Sequence, residues 1–113
     1  MTRYPVSALL ALILGLSSLG SAHAEQPLCA RDALEQAKRL LEFHFGEDDR
    51  IVIDPKVVAQ APLRNPANKE QTFQVLEVWG MIHKGKYRMH LIYYQLDQDC
   101  VLMGQEILEY ASL

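Results

Sequence analysis

The sequence predicts an α+β fold: one N-terminal amphipathic helix packed on a four-stranded antiparallel meander sheet and stapled by one disulfide. Three observations predict it. Apolar residues recur at helical spacing between Ala30 and Phe45. Several later segments are rich in Val, Ile, Tyr, Phe and Trp, the residues that suit a pleated, half-buried surface. The only two cysteines, Cys29 and Cys100, stand at the start of the helical segment and just before the last β-type segment. At 113 residues the chain has the length of one domain, and an apolar content of 50% argues against disorder. Eleven basic against 14 acidic side chains give a net charge of -3, which leaves no basic footprint for nucleic acid.

The first 24 residues read as a cleaved secretory signal peptide. Arg3 lies in the leading segment, Ala8 to Gly20 form a short apolar run, and Ala22-His23-Ala24 supplies the small-x-small pattern of a signal-peptidase site. The 13-residue run spans about 20 Å as a helix, short of a bilayer core of about 30 Å, so no stable membrane anchor is expected after cleavage. Gln26-Pro27-Leu28 ahead of Cys29 lacks the small residues of a lipoprotein site. The expected domain is therefore 25–113, with 89 residues. Without Arg3 it has 10 basic and 14 acidic side chains, a net charge of -4. Its expected location is the periplasm or the cell exterior. In an oxidising compartment, Cys29 and Cys100 read as a structural bridge.

The elements follow in order. Ala30, Ala33, Leu34, Ala37, Leu40, Leu41 and His44 define one helix face, with Arg31, Glu35, Lys38, Arg39 and Glu42 opposite. Glu35 and Arg39 form a favourable i,i+4 pair, and Gly46 supplies a stop. Arg50 to Val58 reads as a strand, but Pro55 cannot donate to a ladder, which makes it an edge strand or one broken in the middle. Ala59 to Gln71, with Pro62 and Pro66, reads as the longest loop. Thr72–Ile82, Tyr87–Leu96 and Val101–Tyr110 complete the sheet, joined by turns at Lys84-Gly85 and Gln98-Asp99.

Strand alternation then sorts the side chains. Leu76, Val78, Gly80 and Ile82 share a face with Tyr87, Met89, Leu91 and Tyr93, and this uncharged set is expected to pack on the helix, with Gly80 leaving room for a bulky helix residue. The other face carries Phe73, Val75, Glu77, Trp79, Met81 and His83 beside Lys86, Arg88, His90, Ile92, Tyr94 and Leu96. In the expected register Trp79 opposes His90, Met81 opposes Arg88, and Glu77 lies diagonal to His90. The second hairpin is expected to set Arg88 against Glu109 and to place Glu106 on the helix side beside Leu91.

The chemistry available is narrow. Beyond residue 24 the chain has one serine, Ser112, and one threonine, Thr72, and it lacks C-x-x-C and phosphate-cradling motifs. His83 and His90 are expected about 13 Å apart, too far to share an ion, and the acidic turns Glu47-Asp48-Asp49 and Asp97-Gln98-Asp99 lack the pattern of a calcium loop. No metal or cofactor is expected. Only His90 with Glu77 could do acid–base work, and a half-exposed surface histidine is the simpler reading. One helix followed by a four-stranded meander resembles, in element order, the cystatin-like and PepSY-type modules of exported proteins, although the cystatin Q-x-V-x-G segment is missing. The expected function is a non-enzymatic protein-binding module, such as an inhibitor, immunity-type or accessory protein. It would bind through Glu77, Trp79, Met81, Arg88, His90 and Tyr94, a set with the composition of interface hot spots. A small-ligand carrier with a pocket between helix and sheet, and a homodimeric structural protein, are the alternatives.

Overall fold

The computed structural model describes residues 25–110 and Gly15; the signal-peptide expectation for residues 1–24 and Ser112 lie outside the described residues. One helix, α1 (Ala30–Phe45), precedes six strands: β1 (Ile51–Ile53), β2 (Val58–Ala59), β3 (Leu63–Asn65), β4 (Asn68–Ile82), β5 (Gly85–Leu96) and β6 (Asp99–Tyr110). The class is α+β, and Cys29 is bridged to Cys100.

The helix follows its apolar spacing. Ala30, Ala33, Ala37, Leu40 and Leu41 are buried, while His44 is exposed rather than part of that face. Gly46, at φ 80°, ends the helix and donates its N–H to the Glu42 carbonyl at 2.7 Å, since glycine adopts this conformation without a Cβ clash. Glu35 pairs with Arg31 at 3.6 Å rather than with Arg39, and Lys38 pairs with Glu42 at 3.8 Å. All four groups lie at the surface, so the exchange is energetically minor.

The strand expected over Arg50 to Val58 is split at Pro55 into β1 and β2. Its continuation is not a plain loop: β3 lies within 59–71, and β4 begins at Asn68 instead of Thr72. The three short strands pair one after another along the same side of the 15-residue β4, so the sheet has six strands instead of four. Across its width it reads β1, β4, β5, β6, with every pairing antiparallel.

Both hairpins are displaced by two residues from the expected register. Ile82 pairs with Gly85 and Leu96 with Asp99, so His83-Lys84 and Asp97-Gln98 form the turns. His83 at φ 53° and Asp97 at φ 55° take the left-handed conformations. Gly85 has a different duty: a Cβ there would lie 2.7 Å from the Tyr87 hydroxyl oxygen. A two-residue slip preserves strand parity, so the two faces stand as expected although the opposed pairs change. Leu76, Val78, Tyr87, Met89, Leu91 and Tyr93 are buried beneath α1. A Cβ built on Gly80 would sit 2.6 Å from Leu41 Cδ1, so the leucine fills the room the glycine leaves.

One irregularity alters β6. Tyr93 pairs with Leu102 but Ile92 pairs with Gly104, leaving Met103 as the extra residue of a β-bulge. Beyond it the alternation reverses. Gln105, Ile107 and Glu109 oppose the helix-side residues Leu91, Met89 and Tyr87, while Glu106 opposes His90 and Leu108 opposes Arg88. The expected Arg88–Glu109 pair and the helix-side placement of Glu106 are therefore both corrected. The helix-side position of Ile107 beside the core and the hydrogen bond from Gln36 Nε2 to Gln105 Oε1, 2.9 Å, agree with the reversed parity.

Candidate functional site

The face of the sheet turned away from α1 is organised around His90. Its position in the middle of β5 sets it directly between Glu77 of β4 and Glu106 of β6. His90 Nε2 lies 2.8 Å from Glu77 Oε2, and Nδ1 lies 2.7 Å from Glu106 Oε1. The second Glu77 oxygen, Oε1, accepts the indole N–H of Trp79 at 2.9 Å. Each imidazole nitrogen therefore faces a carboxylate oxygen within hydrogen-bond distance. The His90 and Glu77 side chains are 20% and 16% exposed, whereas Glu106 is 69% exposed. The Glu77–His90 contact is thus shielded and the His90–Glu106 contact is open to water.

Burial pushes the Glu77 carboxyl upward, but hydrogen bonds from His90 and Trp79, with the nearby Arg88 charge, outweigh it and hold the group below its ordinary value. The carboxylate's stabilising contribution is therefore complete above the unfolded-state value, near 4.5, and fades as pH falls through the lower folded-state value. Glu77→Gln is expected to lower the urea midpoint at pH 7 and to leave it nearly unchanged at pH 2.5. An equal shift at both pH values would assign the loss to packing instead of charge.

Aromatic and cationic groups continue the face toward the first hairpin. Arg88 lies opposite Trp79 and Lys86 opposite Met81, in place of the expected His90 and Arg88. The Trp79 and Tyr110 rings lie 5.2 Å apart, Lys86 Nζ sits 4.7 Å from the Trp79 ring centre, and Arg88 Cζ lies 5.6 Å from that of Tyr110. Around them Met81, Leu108 and Tyr110 remain 39%, 49% and 39% exposed. The structure thus brings five of the six expected site residues together: Glu77, Trp79, Met81, Arg88 and His90. Tyr94 is separate. It lies six positions from Arg88 along β5, about 20 Å away, and packs edge-on against Phe73 at 6.2 Å.

Glu106 and Tyr110 were missed by sequence reasoning because the bulge moved them onto this face. Gly104 was the available signal, since a glycine inside a strand often marks a bulge.

Other candidate features fall elsewhere. At Gly80 the space is filled by Leu41. A cleft of about 750 Å³ lies instead at the far end of β4 and β5, lined in part by Gln60, Gln71, Phe73, Gln74 and Tyr94. Tyr93 borders it, and burial raises its hydroxyl to about 12, with Asp32 adding in the same direction. Asp32 also approaches Cys29 and Cys100, but the two sulfurs are bonded to each other and hold no thiolate for a metal. No family model, no curated protein and no solved structure matches this chain.

Proposed function

We propose that the protein is an exported, non-enzymatic binding module that engages a protein partner through the sheet face centred on Trp79 and His90. The observation that carries this reading is the uncovered state of the face: exposed Val52, Met81, Leu108 and Tyr110 surround a hydrogen-bonded polar centre, with no described element packed over them. Aromatic, Met and Arg side chains at the middle with polar groups fixed among them match the make-up of interface cores. Catalysis fits the geometry less well. Both His90 nitrogens and both Glu77 oxygens are already engaged within the site, which leaves the imidazole no free nitrogen for a substrate. The disulfide favours an oxidising compartment, periplasmic or extracellular. An inhibitor, immunity-type or accessory role, and the cystatin-like or PepSY-type element order, are consistent with such a module.

The test places a photo-crosslinking side chain at Met81 in the exporting cell, with Lys38 on the helix surface as the control position. One discrete adduct from Met81, absent from Lys38 and lost when Trp79→Ala and Arg88→Ala are combined, is the expected result. The combined variant should melt within a few degrees of the parent. Equal labelling at both positions, or an adduct made only of two copies of this chain, would reject a distinct partner at this face.

A further inference from the structure

We infer that the protein pairs with a second copy of itself along β6, joining two sheets edge to edge. The inference concerns a sheet edge and does not depend on the reading of the outer face.

The two edges of this sheet are treated differently. On one side Pro55 and Pro62 interrupt the short strands β1, β2 and β3, with Lys56 and Arg64 alongside, the devices that keep an edge from recruiting another strand. On the other side β6 runs for 12 residues without proline, lysine or arginine. Among the described residues it pairs only with β5, so the backbone groups pointing away from β5 have no ladder partner. Val101, Leu102, Met103, Leu108 and Tyr110 are exposed along it. The helix does not obstruct the approach: α1 packs on β1, β4 and β5 and meets β6 through the Cys29–Cys100 bridge and the Gln36–Gln105 hydrogen bond.

The apolar pairs that a twofold axis creates, and the absence of directly opposed acids, favour another β6 as the occupant. A twofold antiparallel pairing requires each residue and its opposite number to lie on the same face. With Met103 taken as the extra residue of its bulge, an axis through Gln105 meets this requirement over the whole strand. It sets Val101 against Leu108 of the second copy and Leu102 against its Ile107, and the symmetry repeats each pair. Glu106 then faces Gly104, Glu109 faces Cys100 and Asp99 faces Tyr110, so no acidic side chain directly opposes another. Without the bulge, Val101 and Leu108 would have opposite parity and could not meet. The paired strands would be about 40 Å long and carry on the order of ten main-chain hydrogen bonds, as many as an ordinary protein interface.

Light scattering of the purified protein, over a range of concentrations, measures the mass. Twice the chain mass is expected for the parent, and a single-chain mass at about 100 µM, well above common dissociation constants, would overturn the inference. Val101→Lys and Leu108→Glu should each weaken dimerisation roughly tenfold or more, and their combination should restore it by pairing opposite charges across the axis twice. Failure of the combined variant to recover would reject this register. Cross-linking adds an independent readout. The two Gln105→Cys positions face each other within disulfide reach, whereas two Leu108→Cys positions lie about 20 Å apart. Gln105→Cys should form covalent dimers rapidly and Leu108→Cys should not; equal rates would indicate random encounter and reject the pairing.

Discussion

Replacing both cysteines, Cys29→Ser with Cys100→Ser, is expected to remove roughly 4 kcal/mol of unfolding free energy, the value chain-entropy arithmetic gives for a closed loop of this size. The bridge spans a sequence separation of 71 and ties the start of α1 to the start of β6. Small domains have little stability to lose, commonly 5–15 kcal/mol, and a single compact core supplies only part of it. The described core consists largely of one helix stripe and one sheet face, and Cys29 belongs to it. Urea titration at pH 7 checks the expectation. A loss below about 1 kcal/mol would mean that packing alone orders the two ends, contrary to the entropic account of the bridge.

Leu41→Ala is expected to cost about 3 kcal/mol, because a fully buried leucine leaves a void that its neighbours fill only in part. Its contact with Gly80 makes the expectation more specific. The position a Cβ would take on Gly80 lies 2.6 Å from Leu41 Cδ1, 3.1 Å from Met89 Cε and 3.2 Å from Ile53 Cδ1. Gly80→Ala alone should therefore destabilise by roughly 1 kcal/mol or more through overpacking. In the Leu41→Ala background the same methyl group enters vacated space and should stabilise. The signature is a double-mutant cycle with coupling of about 1 kcal/mol or more. Strict additivity would show that the glycine is kept for another reason.

Sequence patterning revealed the helix and both sheet faces because each depends on periodicity. The faces of β4 and β5 survived an incorrect register because the first hairpin slipped by two residues, and parity is unchanged by two. The turns themselves were misread. A preference for glycine at positive φ pointed to Gly85, but the ring of Tyr87 accounts for that glycine, while His83 and Asp97 make the turns. The polar centre was only half legible. Glu77 and His90 follow from alternation along β4 and β5, but Glu106 joins them only after one residue is absorbed at Met103. A bulge is a local geometric event that a period-two pattern cannot register. The segment 59–71 was opaque for a related reason: its short strand draws order from the exceptional length of β4, a tertiary cause with little trace in its own residues.

The placement of the bridge also determines how the folded chain carries mechanical load. A pull applied at Glu25 and Tyr110 passes along residues 25–29, crosses the sulfur–sulfur bond, and leaves through residues 100–110. Residues 30–99, which contain the helix and the first five strands, lie outside that path. Tension can strip β6 from β5, releasing the ten residues from Val101 to Tyr110, about 35 Å of chain, after which the covalent link bears the force. Held at those two ends, the oxidised protein therefore keeps residues 30–99 out of the path of the force, whereas the reduced protein exposes all of them to it.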